Sequence, residues 1–121
     1  MLILLPPSEG KAAPRRGKPL DLDTLSSPVL TDARREVLSA LVDLCSGDPE
    51  AAATVLDLGP SQLDLVQRNA TLETAPTARA DAVYTGVVYE ALDLASASAA
   101  ARRRASSRLA VASSVFGMVR P

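Results

Sequence analysis

A chain of 121 residues with 47% apolar residues, 22% charged residues and a formal net charge of −1 has the make-up of one small globular unit. It contains no histidine and a single cysteine, which excludes an internal disulfide, Ser–His or Cys–His nucleophiles and histidine metal sites within these residues. Its only aromatics, Tyr84, Tyr89 and Phe116, cannot supply both a core and a base-stacking platform, and a core of small aliphatics predicts modest stability.

Residues 1–5 are a continuous apolar run stopped by Pro6-Pro7, the pattern of a buried strand entering a sheet. Residues 6–30, rich in proline and basic groups and then polar, predict an ordered loop or arm. From Thr31, apolar residues Val37, Leu38, Leu41, Val42 and Cys45 recur at helical spacing, with Thr31 or Asp32 as cap and Gly47 as stop. Cys45 falls on the apolar side and reads as core. Asp48-Pro49 opens a second helix that runs to Gly59, and Pro60 opens a third. Ser61 and Asp64 form a weak capping box there, and Leu63, Val66 and Ala70 form an inner face. Val83-Tyr84-Thr85 favours a strand, broken at Gly86, and Val87–Leu92 can begin a helix. An alanine-rich helix carrying Arg102, Arg103 and Arg104 is predicted from about Ser96, and the segment from Arg108 alternates as a strand until Phe116-Gly117 turns the chain. Strands and helices in this order predict a mixed α/β (α+β) fold.

Charge is unevenly spread. Residues 21–93 are strongly acidic, whereas residues 10–20 and 102–121 carry only positive side chains. The asymmetry suits a basic face made by the two ends and directed at an anionic partner; ordinary solvated arginines account for it equally well. The start has no positive n-region and too short an apolar stretch for a signal peptide, and no run approaches a membrane span, so a soluble cytoplasmic protein is expected.

Two motifs invite a phosphate reading. "PPSEGKA" at the end of the first strand resembles a phosphate-binding loop only in part, since no glycine stands four residues upstream and Ala12 follows Lys11. A general anion site built from Lys11 and loop amides competes there with a solvated basic loop. "LDLGPSQLDLVQ" has the plan of a helix-hairpin-helix, in which a glycine turn presents backbone N–H groups to phosphate without reading bases. Pro60 removes one donor and Asp57 and Asp64 flank the turn, features that a plain corner between helices also has. Glu9 with Lys11, and Tyr84 with Thr85, can meet at adjacent strand ends and share a small-ligand site. A structural ion pair and a packed tyrosine are the simpler account.

"MLILLPPSEGK", "VYTGVVYEALD" and "SSVFGMVRP", in this order along the whole chain, resemble the opening, central and later motifs of the YaaA family of peroxide stress proteins. The resemblance assigns Ser8, Glu9, Gly10 and Lys11 to the first motif. Tyr84, Thr85 and Gly86 belong to the second, and Gly117, Arg120 and Pro121 to the last. It implies a cytosolic bacterial protein that protects against hydrogen peroxide and is linked to low free iron. It also implies a DNA-binding fold with a positively charged cleft and a helix-hairpin-helix-like element, here at Leu58–Gln62. Family members are much longer, so residues 1–121 resemble the N-terminal half of such a domain, as one partial domain. An opened sheet edge and self-association are therefore expected.

The resulting expectation is a non-enzymatic, sequence-independent binder of double-stranded DNA. Lys11, Arg15, Arg16, Lys18 and Arg120 contact phosphate, Gly59, Ser61 and Gln62 present the hairpin, and no metal or cofactor is required. The rival is an enzyme or binder of a nucleotide or similar phosphate, with Glu9, Lys11 and Tyr84 at the ends of the first and central strands.

Overall fold

The computed structural model describes residues 1–121, with three strands and six helices. Strand β1 (Ile3–Leu5) lies parallel to β2 (Leu109–Ser113), and β2 turns back antiparallel into β3 (Gly117–Val119). The strand order is β1-β2-β3, with Leu4 opposite Ala110 and Ala112 opposite Met118. A strand forms where the apolar run predicts one, but it is not the buried strand expected, since Ile3 and Leu4 are exposed at an edge with a neighbour on one side only. The alternating segment after Arg108 gives β2, and the turn before Gly117 leads into a further strand that was not expected. The fold is a mixed α/β arrangement.

The middle of the chain is helical. Helix α1 (Thr31–Ser46) buries Thr31, Arg34 and Cys45. Thr31 and Asp32 do not cap it: a 3-10 turn over Pro28–Leu30 feeds its backbone straight into the helix, leaving no cap position for a side chain. Helix α2 (Pro49–Val55) starts as Asp48-Pro49 predicts, with Asp48 Oδ1 accepting from the Glu50 and Ala51 N–H groups at 2.8 and 3.2 Å. It stops four residues before Gly59, because Asp57 turns left-handed (φ 54°) and the Leu58 N–H reaches back to the Ala53 carbonyl. A 3-10 turn at Pro60–Gln62 leads into α3 (Leu63–Ala70).

Cys45, Ala52, Ala53 and Val66 form the buried cluster of these three helices. Val66 points inward and Ala70 packs against it, but Leu63 is exposed, so the inner face of α3 is narrower than its spacing implies.

Val83-Tyr84-Thr85 is not a strand. Residues Ala80–Val83 close a helical turn, α4, whose last bond runs from the Tyr84 N–H to the Ala80 carbonyl at 2.9 Å. Tyr84 is left with one antiparallel bridge to Lys11. Helices α5 (Val87–Leu92) and α6 (Ala99–Arg108) follow, the latter capped by Ser98.

Around the sheet, two further small clusters form: Ala80, Tyr84 and Val111, and Leu94, Ala105 and Leu109. Buried residues number 14 of 121, so no single large core exists. The accessible surface is 8208 Å². A compact monomer of this mass exposes about 6200 Å² by the usual scaling, so the chain is markedly open. Leu2, Ile3 and Leu4 account for part of that excess.

Candidate functional site

The bridge between Lys11 and Tyr84 joins the first two motifs into one place. The Ala12 N–H donates to the Val83 carbonyl at 2.8 Å, and the Thr85 N–H donates to the Gly10 carbonyl at 3.0 Å. Two short segments from opposite parts of the sequence are thereby held in register, a few residues beyond the end of β1. The contact is close enough to dictate residue size. A Cβ on Gly10 would sit 2.5 Å from Thr85 Oγ1, and one on Gly86 would sit 3.1 Å from Ser8 Oγ.

Around this junction Lys11 Nζ donates to the Ser8 carbonyl at 2.8 Å and lies 5.6 Å from the centre of the Tyr84 ring. No carboxylate lies within ion-pair distance of it, and Glu9 is exposed without pairing to it. The ion pair between Glu9 and Lys11 is therefore not formed. Tyr84 is buried and stacks on Tyr89, ring centres 5.3 Å apart, while the Tyr89 hydroxyl donates to the Pro6 carbonyl. Burial first, and neighbouring Tyr84 second, push the Tyr89 hydroxyl above its ordinary pKa of 10.0.

The third motif is built around a residue that sequence reasoning overlooked. Arg34 of α1 is 3% exposed and donates to the carbonyls of Ser26 (2.7 Å), Phe116 (3.1 Å) and Ser27 (3.4 Å). No carboxylate pairs with it, and its Nε has no partner. It ties the arm before α1 to the β2–β3 turn. Gly117 makes this fit: its φ is +73°, and a Cβ there would meet Arg34 Nη2 at 2.8 Å. The signal was present, since Arg34, Leu38, Leu41 and Cys45 share one helical face.

One cation from each basic end of the sequence lies on a common cleft. Lys11 and Arg120 line a single cleft of about 1300 Å³, together with Arg35, Arg68 and Arg79. The acids on its walls are Asp21 and Glu73. Arg120 is positioned by bonds from Nη1 to the carbonyls of Leu109 (2.9 Å) and Ser107 (3.5 Å). Arg35 is shared with Asp23 (2.9 Å) and Asp32 (3.4 Å), and Arg79 Nε lies 3.4 Å from Asp81 Oδ1. Arg68 is half-buried and makes no side-chain hydrogen bond or ion pair. Lys11, Arg68 and Arg120 are therefore the cleft cations without an acidic partner.

Arg15, Arg16 and Lys18 are exposed on the arm outside the cleft walls, which the arm enters through Pro14 and Leu20. The arm is anchored there by the Thr77 N–H and hydroxyl, which donate to the Lys18 carbonyl at 3.0 and 2.8 Å. The hairpin residues Gly59, Ser61 and Gln62 also lie outside the cleft, at the far end of α3 from Arg68, roughly 10 Å away along the helix rise. Within the hairpin the Gly59 N–H is taken by Gln62 Oε1 at 3.0 Å, and the Gln62 N–H by the Gly59 carbonyl at 2.9 Å. This pairing replaces the box expected between Ser61 and Asp64, because Gln62 reaches back across the tight turn.

No group of three or more histidine, cysteine or acidic side chains is arranged to hold a metal ion. No helix is long and apolar enough to cross a membrane.

Comparison with known proteins agrees with the convergence of motifs. A family model described as "Peroxide stress protein YaaA" matches residues 1–121. A UPF0246 protein of Streptomyces coelicolor is 54% identical over 120 residues, covering 99% of this chain and 46% of that protein. UPF0246 proteins of Corynebacterium efficiens and Corynebacterium glutamicum are 42% and 41% identical over 120 and 119 residues, again covering 46% of each. The chain spans about half the length of these curated relatives. With a match along its entire length, the chain belongs to the peroxide stress protein YaaA family.

Proposed function

We propose that the chain binds the phosphate backbone of double-stranded DNA without regard to sequence, as part of a cytoplasmic response that limits iron-mediated peroxide damage. The observation that supports this is the meeting of Lys11 and Arg120, from the two ends of the sequence, in one cleft with three further arginines and only two acids. Phosphate oxygens are acceptors with full negative charge, and Lys11 and Arg68 bring donors that no protein carboxylate neutralises. Arg15, Arg16 and Lys18 extend the positive surface along the arm, and the hairpin at Gly59–Gln62 contributes through Ser61.

Fluorescence anisotropy of a labelled duplex against salt tests the reading. Five neutralised phosphates give a slope near −4.5 in log K against log salt, or roughly 500-fold weaker binding between 50 and 200 mM salt. Affinity that ignores salt, or that differs strongly between unrelated duplexes, overturns it.

A second reading rests on the motif junction. Ser8, Gly10, Thr85 and Gly86 pack closely enough to exclude side chains, as loops that hold a small phosphate ligand do. Lys11→Ala separates the two. A nucleotide-dependent rise in melting temperature, lost in that variant and unaccompanied by duplex retention, favours the small-ligand reading.

A further inference from the structure

Helix α6 carries four arginines and no acid, and none of its side chains lines the cleft described above. Ala99, Arg102, Arg103, Ser106 and Ser107 stand at the three- and four-residue spacing that places side chains on one helical face. That face forms one wall of a second cavity, of about 790 Å³, within the usual size range of small-ligand sites. The other wall is Arg79 and Asp81 at the start of α4, and Leu94 is the largest apolar group between them.

The polar groups of the cavity divide into those with partners and those without. Arg79 Nη2 donates to the Ser106 hydroxyl at 2.8 Å and to the Pro121 carbonyl. The Ser106 hydroxyl donates to the Pro121 carbonyl at 3.2 Å, and the Ser107 hydroxyl to the Arg104 carbonyl at 2.9 Å. Arg102 and Arg103, in contrast, are exposed and have no acidic partner. In the first turn of α6, Ser98 Oγ takes the Ala101 N–H at 3.2 Å, while the Ala99 and Ala100 N–H groups reach no backbone carbonyl. Across the cavity, Asp81 Oδ1 is buried and accepts no hydrogen bond, since Arg79 Nε at 3.4 Å is too poorly aligned to give one. A ligand that completes the cavity is thus anionic toward α6, offers an N–H donor toward α4 and has an apolar body between.

We infer that this cavity binds a nucleoside monophosphate. Its phosphate is held by Arg102 and Arg103, beside the free amides of the first turn of α6. Its base rests on Leu94, and a base N–H donates to Asp81 Oδ1. Inorganic phosphate satisfies only the α6 wall and is repelled by Asp81. The cavity shares Arg79 with the cleft but contains none of Lys11, Arg68 and Arg120, so it stands apart from both readings proposed above.

Calorimetric titration of the chain with guanosine 5′-monophosphate, adenosine 5′-monophosphate and inorganic phosphate, without DNA, tests the inference. The expected result is a single saturable site for at least one nucleotide, about tenfold tighter than for phosphate. Arg102→Gln and Arg103→Gln each weaken nucleotide binding about tenfold with unchanged far-ultraviolet circular dichroism, while Arg104→Gln, off the cavity face, leaves it unchanged. Asp81→Ala removes an acceptor and a negative charge together, so it weakens the nucleotide and strengthens phosphate, opposite signs that general unfolding does not produce. Absence of saturable nucleotide binding, or equal affinity for phosphate, overturns the inference. So does an equal loss in Arg102→Gln and Arg104→Gln, which reduces the effect to net charge. Binding that survives Arg102→Gln and Arg103→Gln but is lost in Lys11→Ala overturns it as well, because the nucleotide then sits at the motif junction.

Discussion

Arg34→Ala is the most informative perturbation of the fold. The guanidinium is buried, and the Ser26 and Phe116 carbonyls, at 2.7 and 3.1 Å, gain charge-assisted bonds from it. The Ser27 carbonyl already accepts from the Leu30 N–H, so the 3.4 Å contact there adds little. Two bonds to a charged donor at about 1.5 kcal/mol each give a loss of about 3 kcal/mol. A thin-cored chain of this length has a total near 6 kcal/mol at the low end of the usual per-residue range, so the loss is about half. With a urea dependence of about 1.5 kcal/mol/M, the midpoint falls by about 2 M.

The assay is urea denaturation followed by far-ultraviolet circular dichroism, since the chain has no tryptophan. Gly117→Ala supplies the second leg of a cycle. In the parent it suffers both left-handed backbone strain and the 2.8 Å approach to Arg34 Nη2; beside Arg34→Ala only the strain, about 1 kcal/mol, remains. A midpoint shift under 0.5 M for Arg34→Ala, or strict additivity of the two changes, refutes the reasoning.

Gly10→Ala is expected to lower the melting temperature, because its Cβ lands 2.5 Å from Thr85 Oγ1, and the added change Thr85→Ala is expected to restore part of the loss in the same thermal scan. Tyr89 favours its neutral form in the folded state, so its contribution to stability is complete below pH 10 and is lost as pH rises through its raised pKa. Phenolate absorbance should show one tyrosine titrating late, and Tyr89→Phe should flatten the fall in stability between pH 10 and its own raised value. Cys45, buried among Ala52, Ala53 and Val66, should react with a thiol reagent far more slowly in buffer than in urea.

Elements whose local chemistry and tertiary role agree were legible in the sequence. Asp48-Pro49 both caps α2 and starts it, and Leu41 and Cys45 mark a face that the other helices cover. Tyr84 shows the opposite case. Its β-branched neighbours favour extension, but the bond from its N–H to Ala80 closes a helical turn and leaves room for a single bridge.

At the site, uneven charge led to the expectation that the basic ends share a side, and Lys11 and Arg120 line the same cleft. The sequence suggested that the segments around Lys11 and Tyr84 approach each other, but not the close contacts of Gly10 with Thr85 and Gly86 with Ser8. Arg34 was read past because a lone cation on an apolar helix face resembles a snorkelling surface group, and only the tertiary carbonyls around it reveal the difference. The apolar run of β1 misled, since it reads as a buried strand whereas Leu2, Ile3 and Leu4 are exposed; the open sheet edge was expected only from the resemblance to a longer family.

The account turns on cations gathered in one cleft acting together on phosphate. Salt titrations of duplex binding for the parent chain, Lys11→Gln and Arg104→Gln test this most directly, since Arg104 is absent from the cleft walls. The expected result is a steep parent slope that becomes shallower by about 0.9 for Lys11→Gln and is unchanged for Arg104→Gln. Equal slopes for all three proteins, or a larger change at Arg104 than at Lys11, contradict it.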